Sequence, residues 1–225
     1  MSKNLLENVG VTNAQISGDT RFDSVFENSN SVQNFPEITA FVQDKKVVVF
    51  GSTWEEDEAI IVKWINKQVD IKCIIAPHEI NSSKIVALQN KISKSCGIYS
   101  KGNFINNDIL IIDKMGMLKH LYAYGTVNYV GGGFGKGIHN LLEAVVFGKN
   151  VLFGPNYKKF PEAFELIKIG GGISVSNLNE LELAFKQAIS NPNTQNKSYF
   201  LSNLGATKKV SEYIKVQLNK NTSNA

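Results

Sequence analysis

The 225-residue chain predicts an α/β fold, a Rossmann-like parallel sheet with helices on both faces. Three observations carry that prediction. Short, nearly continuous apolar runs alternate with helical segments of roughly ten to fifteen residues, the pattern of right-handed βαβ crossovers. Each run stops at glycine, proline or a polar residue, as buried parallel strands do. One stretch, Gly131 to Pro155, contains a whole unit of strand, glycine-rich turn, helix and strand. A six-stranded sheet is expected.

Residues 1–35 read as a connection from a missing amino-terminal domain. Leu5-Leu6 end a short helical scrap, Val11 to Ile16 is strand-like, and GDTRFD (Gly18–Asp23) precedes a polar stretch from Glu27 to Gln33. The domain proper is expected over 36–218. Its first strand is Lys46–Phe50 (KVVVF). Ser52 and Thr53 are followed three residues on by Glu55 and Glu56, a capping-box arrangement. The acidic run EEDE compensates the helix dipole more readily than it builds a metal site. Ile60, Ile61, Trp64 and Ile65 give that helix its apolar face.

Ile71–Ala76 (IKCIIA) is the next strand, ending in Pro77-His78. A helix over Ser82–Ser93 leads to a short strand around Cys96 to Tyr99. The buried strand Asp108–Ile112 (DILII) then ends at Asp113-Lys114-Met115-Gly116. After a helix over Leu118–Tyr124 comes the strand Val127–Val130 and its glycine turn. Leu141, Leu142, Val145 and Val146 keep helical spacing up to Gly148, a C′ position. Val151–Phe153 is a strand closed by Gly154-Pro155. Phe160, Ala163, Phe164 and Ile167 mark a helical face, Ile173–Val175 a last short strand, and Asn177 the start of a helix through Ala188. A final amphipathic helix spans Phe200–Leu218, and the polar tail 219–225 is expected to be disordered.

Composition narrows the function. Hydrophobic residues make up 43% and charged residues 20%, as in ordinary globular proteins. The net charge of +4 is mild and spread along the chain with no basic stripe, which favours an anionic small ligand or a nearby membrane surface without demanding nucleic acid, and no nucleic-acid partner is expected. Cys73 and Cys96 sit in apolar runs and read as free thiols in a reducing compartment. No run reaches the length of a membrane span and the first residues lack a signal-peptide pattern, so a soluble chain is expected. No metal or cofactor is expected.

Loops at the carboxyl ends of parallel strands converge on one crevice. Gly51-Ser52-Thr53, Pro77-His78, Met115-Gly116 and the turn with Gly132, Gly133, Asn140 and Glu143 therefore become one candidate site. Glycines lose extra backbone entropy on folding, so the glycine run favours a ligand over a bare turn. The following helix start would offer unpaired N–H groups to an anion. The turn matches neither a P-loop nor a dinucleotide fingerprint. His78 at a strand end suits a ligand rim or a structural role. Asn140 and Glu143, at i and i+3, suit either one ligand or a cap with a dipole partner.

These stations, in this order, resemble the carboxyl-terminal half of the 3-deoxy-D-manno-octulosonic acid (Kdo) transferases. The match is carried by GDTRFD, FGSTWEEDE, IIAPHE, DKMGML, LYAYGTVNYVGGGF, GIHNLLEAVVFGKNVLFGPNYKKF and NLGAT. The resemblance implies one half of a GT-B glycosyltransferase, whose two Rossmann-like domains face each other across a cleft. It implies CMP-Kdo as donor and a lipid A precursor as acceptor, at the cytoplasmic face of the bacterial inner membrane. Gly51, Ser52 and Thr53 would sit against the donor phosphate, with Gly132 and Gly133 in the turn beside it. Pro77 and His78 would line the nucleotide pocket, Met115 and Gly116 would meet the cytosine, Asn140 the phosphate region and Glu143 the ribose hydroxyls. The catalytic base, the acceptor groove and the membrane attachment would lie in the missing amino-terminal domain, leaving this chain without transfer activity alone. Trp54 departs from the histidine that many members carry after GST, and no proline follows Asn140. A UDP-sugar-binding GT-B half and a stand-alone nucleotide-binding module are the other readings, and Lys136, Lys158 and Lys159 read as solvated surface.

Overall fold

The structure, a computed structural model, describes residues 2–193 and 195–222. In chain order the helices are α1 (Ser2–Asn8), α2 (Thr20–Asn30), α3 (Pro36–Val42), α4 (Glu55–Ile65), α5 (Ser82–Lys91), α6 (Leu118–Leu121), α7 (Leu142–Val145), α8 (Pro161–Lys168), α9 (Leu178–Ser190), α10 (Gln195–Ser202) and α11 (Ala206–Thr222). The strands are β1 (Lys46–Thr53), β2 (Ile71–Pro77), β3 (Cys96–Ile98), β4 (Ile109–Ile111), β5 (Val127–Val130), β6 (Asn150–Phe153) and β7 (Gly172–Ser174). Among the described residues they form one seven-stranded sheet in the order β3-β4-β2-β1-β5-β6-β7, every pair parallel.

The alternation of side chains along each strand divides the core. In β1, Val47 and Val49 face a cluster shared with α2, α3, α6, α7 and α8, while Val48 and Phe50 face α4, α5 and α9. On the second face Trp64 stacks on Phe185 with centroids 4.1 Å apart, and Phe50 meets Trp64 edge-on at 5.9 Å. Both faces of every central strand are thus dry, which is why these strands read as continuous apolar runs.

The α/β expectation holds, with corrections. The sheet has seven strands rather than six: all seven runs named as strands from Lys46 onward pair, the short β3 and β7 at its edges. Val11–Ile16 forms no strand; it pairs with none among the described residues. The stretch 1–35, expected as a connection, contains α2, whose Phe22 and Val25 lie in the core. Arg21 of α2 grips Glu162 of α8, and the Asp23 carboxylate accepts the N–H groups of Gly205 (2.6 Å) and Thr207 (2.7 Å) at the start of α11. The last amphipathic helix is broken in two at Gly205, whose φ of +101° suits glycine. Residues 219–222 of the expected tail continue α11, and 223–225 lie outside the described residues.

β1 pairs with β2 on one side and β5 on the other, and the chain winds away from it in both directions. That is a topological switch point, where the connections from neighbouring strands part and leave a crevice beyond the strand ends.

Candidate functional site

The crevice begins at the end of β1. Its register with β2 slips between Gly51 and Thr53, and Ser52 sits at φ +52°, a conformation that costs a non-glycine residue on the order of 1–3 kcal/mol. The bulge pushes Ser52 out of the ladder. Thr53 turns inward, its hydroxyl donating to Glu58 at 3.1 Å, and burial pushes the Glu58 carboxyl up. Gly51 lies beneath this rim, because Tyr122 and Leu118 fill the space a side chain would need.

The tip of β5 is pressed against that of β1. A Cβ on Gly131 would overlap the Ser52 carbonyl, and the backbones of Gly133 and Gly154 lie face to face. Close packing therefore accounts for these glycines, and the argument from their entropy to a ligand does not stand. The anion seat also changes. The helix after the turn is only Leu142–Val145, and Asn140 caps it by accepting the Leu142 N–H at 3.1 Å. The N–H groups of Gly131, Gly132, Gly135, Gly137 and His139 are already bonded within the protein. With those five spent, the turn offers a ligand its side chains and the remaining backbone N–H groups, among them that of Gly133.

Asp57 organises this junction from α4. It is fully buried, and its carboxylate accepts the Gly132 N–H (2.8 Å), the Trp54 N–H (2.9 Å) and the Tyr129 hydroxyl (2.8 Å). Burial pushes the Asp57 carboxyl up, against the pull of those hydrogen bonds. The cap of α4 is thus Trp54 with Asp57, one residue beyond the Ser52/Thr53 and Glu55/Glu56 arrangement expected, since Thr53 is committed to Glu58.

Three rings close the rim. The Trp54 indole N–H donates to Nε2 of His139 at 2.8 Å, and the two rings lie within 9° of coplanar. His78 stacks on both, 4.5 Å from Trp54 and 4.3 Å from His139. Its backbone N–H donates to the Thr53 carbonyl at 2.9 Å, tying the loop after β2 to the end of β1. Burial, with His78 adding to it, pushes the His139 imidazole down. Pro77, Thr53 and Trp54 border a cavity of about 130 Å³ between α4 and α5, whose lining includes neither Ser52, His78 nor the glycine turn. A larger groove, about 760 Å³, lies between residues 13–17 and α11 and contains no candidate residue.

Asn140 and Glu143 stay together, the Asn140 amide donating to Glu143 at 3.3 Å. Burial pushes the Glu143 carboxyl up, with Asn140 and Lys119 pulling the other way. Met115 is 77% exposed, and Gly116 has φ +81° in the loop after β4. That loop leads into α6, whose Leu118 packs over Gly51, but no contact of Met115 or Gly116 themselves with the other candidate residues is seen among the described residues. Among the described residues no group of three or more His, Cys, Asp or Glu side chains is arranged to hold a metal ion. Cys73 is buried and free, and burial pushes the half-buried Cys96 thiol up to about 12. Among the described residues no helix is long and apolar enough to cross a membrane.

The structure therefore brings together Ser52, Thr53, Pro77, His78 and the glycine turn. His139, Asp57 and Tyr129 were not singled out by the sequence. His139 stood in plain view beside Asn140 in GIHN, whereas the Asp57–Tyr129 contact spans 72 residues and leaves no local signal.

No family model matches the chain. It is 27% identical over 183 residues to the 3-deoxy-D-manno-octulosonic acid transferase of Rickettsia prowazekii, covering 77% of this chain and 39% of that protein. It is 32% identical over 152 residues to the enzyme of the same name from Aquifex aeolicus, covering 64% and 42%. The chain thus spans about four-tenths of the length of these curated relatives. In fold it is similar to the crystal structure of the C-terminal CMP-Kdo binding domain of WaaA from Acinetobacter baumannii, with TM-score 0.62, 18% identity, and 83% of this chain and 97% of that one aligned.

Proposed function

We propose that this chain, a sequence relative of Kdo transferases, is the donor-binding half of such a glycosyltransferase and holds CMP-Kdo at the tips of β1, β2, β4 and β5. The observation that carries the reading is the meeting of Ser52, His78 and the Gly131–His139 turn at the switch point of the sheet. The longer relatives are Kdo transferases, and the fold is similar to that of a CMP-Kdo binding domain. In this reading Ser52 faces the donor phosphate, Pro77 and His78 wall the nucleotide, Met115 and Gly116 meet the cytosine, and Asn140 with Glu143 serve the ribose side. A carboxylate suits two vicinal hydroxyls as an acceptor.

The curated relatives are more than twice as long as the stretch of them that this chain matches, so in this reading a second domain faces the strand tips. We assign to that second domain the lipid A precursor, the general base that deprotonates its hydroxyl, and peripheral attachment to the inner membrane. Transfer by the purified 225-residue chain is then absent. Calorimetric titration tests the donor assignment: CMP is expected to bind at least about tenfold more tightly than UDP, a difference of about 1.4 kcal/mol. Tighter binding of UDP points instead to a UDP-sugar donor half, and Kdo transfer by this chain alone contradicts the division of labour.

A further inference from the structure

We infer that Trp54 is a positioning residue that holds His139 neutral with its proton on Nδ1, so that the imidazole offers an N–H and no charge to an anionic ligand at the strand tips. The inference rests on the donor-site reading for the ligand, but the tautomer stands on geometry alone. An indole nitrogen can only donate, so the 2.8 Å bond from Trp54 requires a lone pair on Nε2 of His139. A neutral imidazole with a bare Nε2 carries its proton on Nδ1, and an imidazolium has no lone pair left to accept.

The surroundings hold this arrangement in place. The His139 N–H donates to the Gly131 carbonyl at 3.0 Å, fixing the backbone. The Cδ2–Nε2 edge lies so close to Gly132 that a side chain there would press on it. His78 covers the Trp54–His139 pair from the open side, which leaves the indole and imidazole edge to edge. The titratable or charged groups around the imidazole are His78 from the loop after β2, Asp57 bonded to Gly132, Glu56 beside Gly135, and the exposed Lys136 of its own turn. His78 disfavours a second positive charge, in the same direction as burial. Among the described residues Nδ1 has no protein partner, so its N–H is the donor available to an anion.

The test is nitrogen-15 NMR of the histidine-labelled 225-residue chain, for the wild type and Trp54→Phe, which keeps a ring over His78 and removes the indole donor. In the wild type neutral His139 is expected to show a protonated Nδ1 and a bare Nε2 between about pH 7 and 8. In Trp54→Phe the proton redistributes towards Nε2 and the titration midpoint rises by about one pH unit, the tenfold change expected for one hydrogen bond. A wild-type proton on Nε2, or a midpoint unmoved by the substitution, overturns the inference, and the wild-type spectrum decides it even if the variant misfolds. CMP and inorganic phosphate are then added separately to the wild type. Movement of the Nδ1 signal by CMP, or by phosphate where CMP does not bind, supports the ligand role. Calorimetric binding of CMP with that signal unmoved overturns the ligand role while leaving the donor reading intact. Movement by phosphate with no CMP binding sinks the donor reading alone, and movement by neither anion overturns the ligand role.

Discussion

The buried carboxylate of Asp57 accepts the backbone N–H of Gly132 at 2.8 Å, so one side chain of α4 fixes the mouth of β5. The same oxygen accepts the Trp54 N–H, and its twin accepts the Tyr129 hydroxyl. Removing the side chain strands three buried donors. Asp57→Ala is expected to lose about 3–5 kcal/mol of stability. Asp57→Asn is expected to lose less, about 1–2 kcal/mol, because the amide oxygen still accepts the two N–H groups and only the Tyr129 O–H loses its acceptor. Urea unfolding of both variants checks the contrast, and equal losses contradict it.

Acid dependence of stability follows from the carboxyls of Asp57, Glu58 and Glu143, each pushed up chiefly by burial. The folded chain then holds their protons at pH values where the unfolded chain has released them. Their contribution is fully present below the unfolded values, 3.8 for Asp and 4.5 for Glu, and is lost as pH rises through the folded ones. Asp57→Asn does not titrate. The stability of wild type relative to that variant should therefore be greatest near about pH 4 and shrink towards about pH 7. A difference that grows with pH is inconsistent with a raised Asp57.

Arg21 makes a forked contact with Glu162, at 3.0 and 3.2 Å, and the glutamate is only 3% exposed. Arg21→Ala leaves that carboxylate buried without its partner. With the arginine itself half-exposed, a loss of about 2–3 kcal/mol is expected. Glu162→Gln, which keeps an acceptor, should lose less. Thermal unfolding of the two variants measures the order.

Much of this architecture was legible because buried parallel strands need only local apolar runs: KVVVF, IKCIIA and DILII all became strands, and their tips carry the site. What escaped depended on distant partners. Asp57 looked like one more acid at a helix start, because its burial is decided by Tyr129 on another strand. Ser52 carries no sign of its bulge, since the slip belongs to the pairing with β2. The helix after the glycine turn was overestimated because apolar spacing persists from Leu141 to Val146, while the Asn140 side chain and the loop around His139 hold the preceding backbone out of the helix. Val11–Ile16 had the composition of a strand and no neighbour to pair with.

Glu143 supplies a direct probe of the proposed ribose contact. Glu143→Ala is expected to weaken CMP binding by about 1–3 kcal/mol, with little loss of stability because the carboxyl sits at the rim of the helix. Calorimetry of the variant against wild type reads this, and an unchanged dissociation constant removes Glu143 from the site.

Amide NMR mapping of CMP on the 225-residue chain decides whether the strand tips bind a cytidine nucleotide. The account predicts saturable shifts concentrated at Ser52, Trp54, His78, Gly116, His139 and Asn140. Saturable shifts confined to residues 13–17 and α11, or none at millimolar CMP, would contradict it.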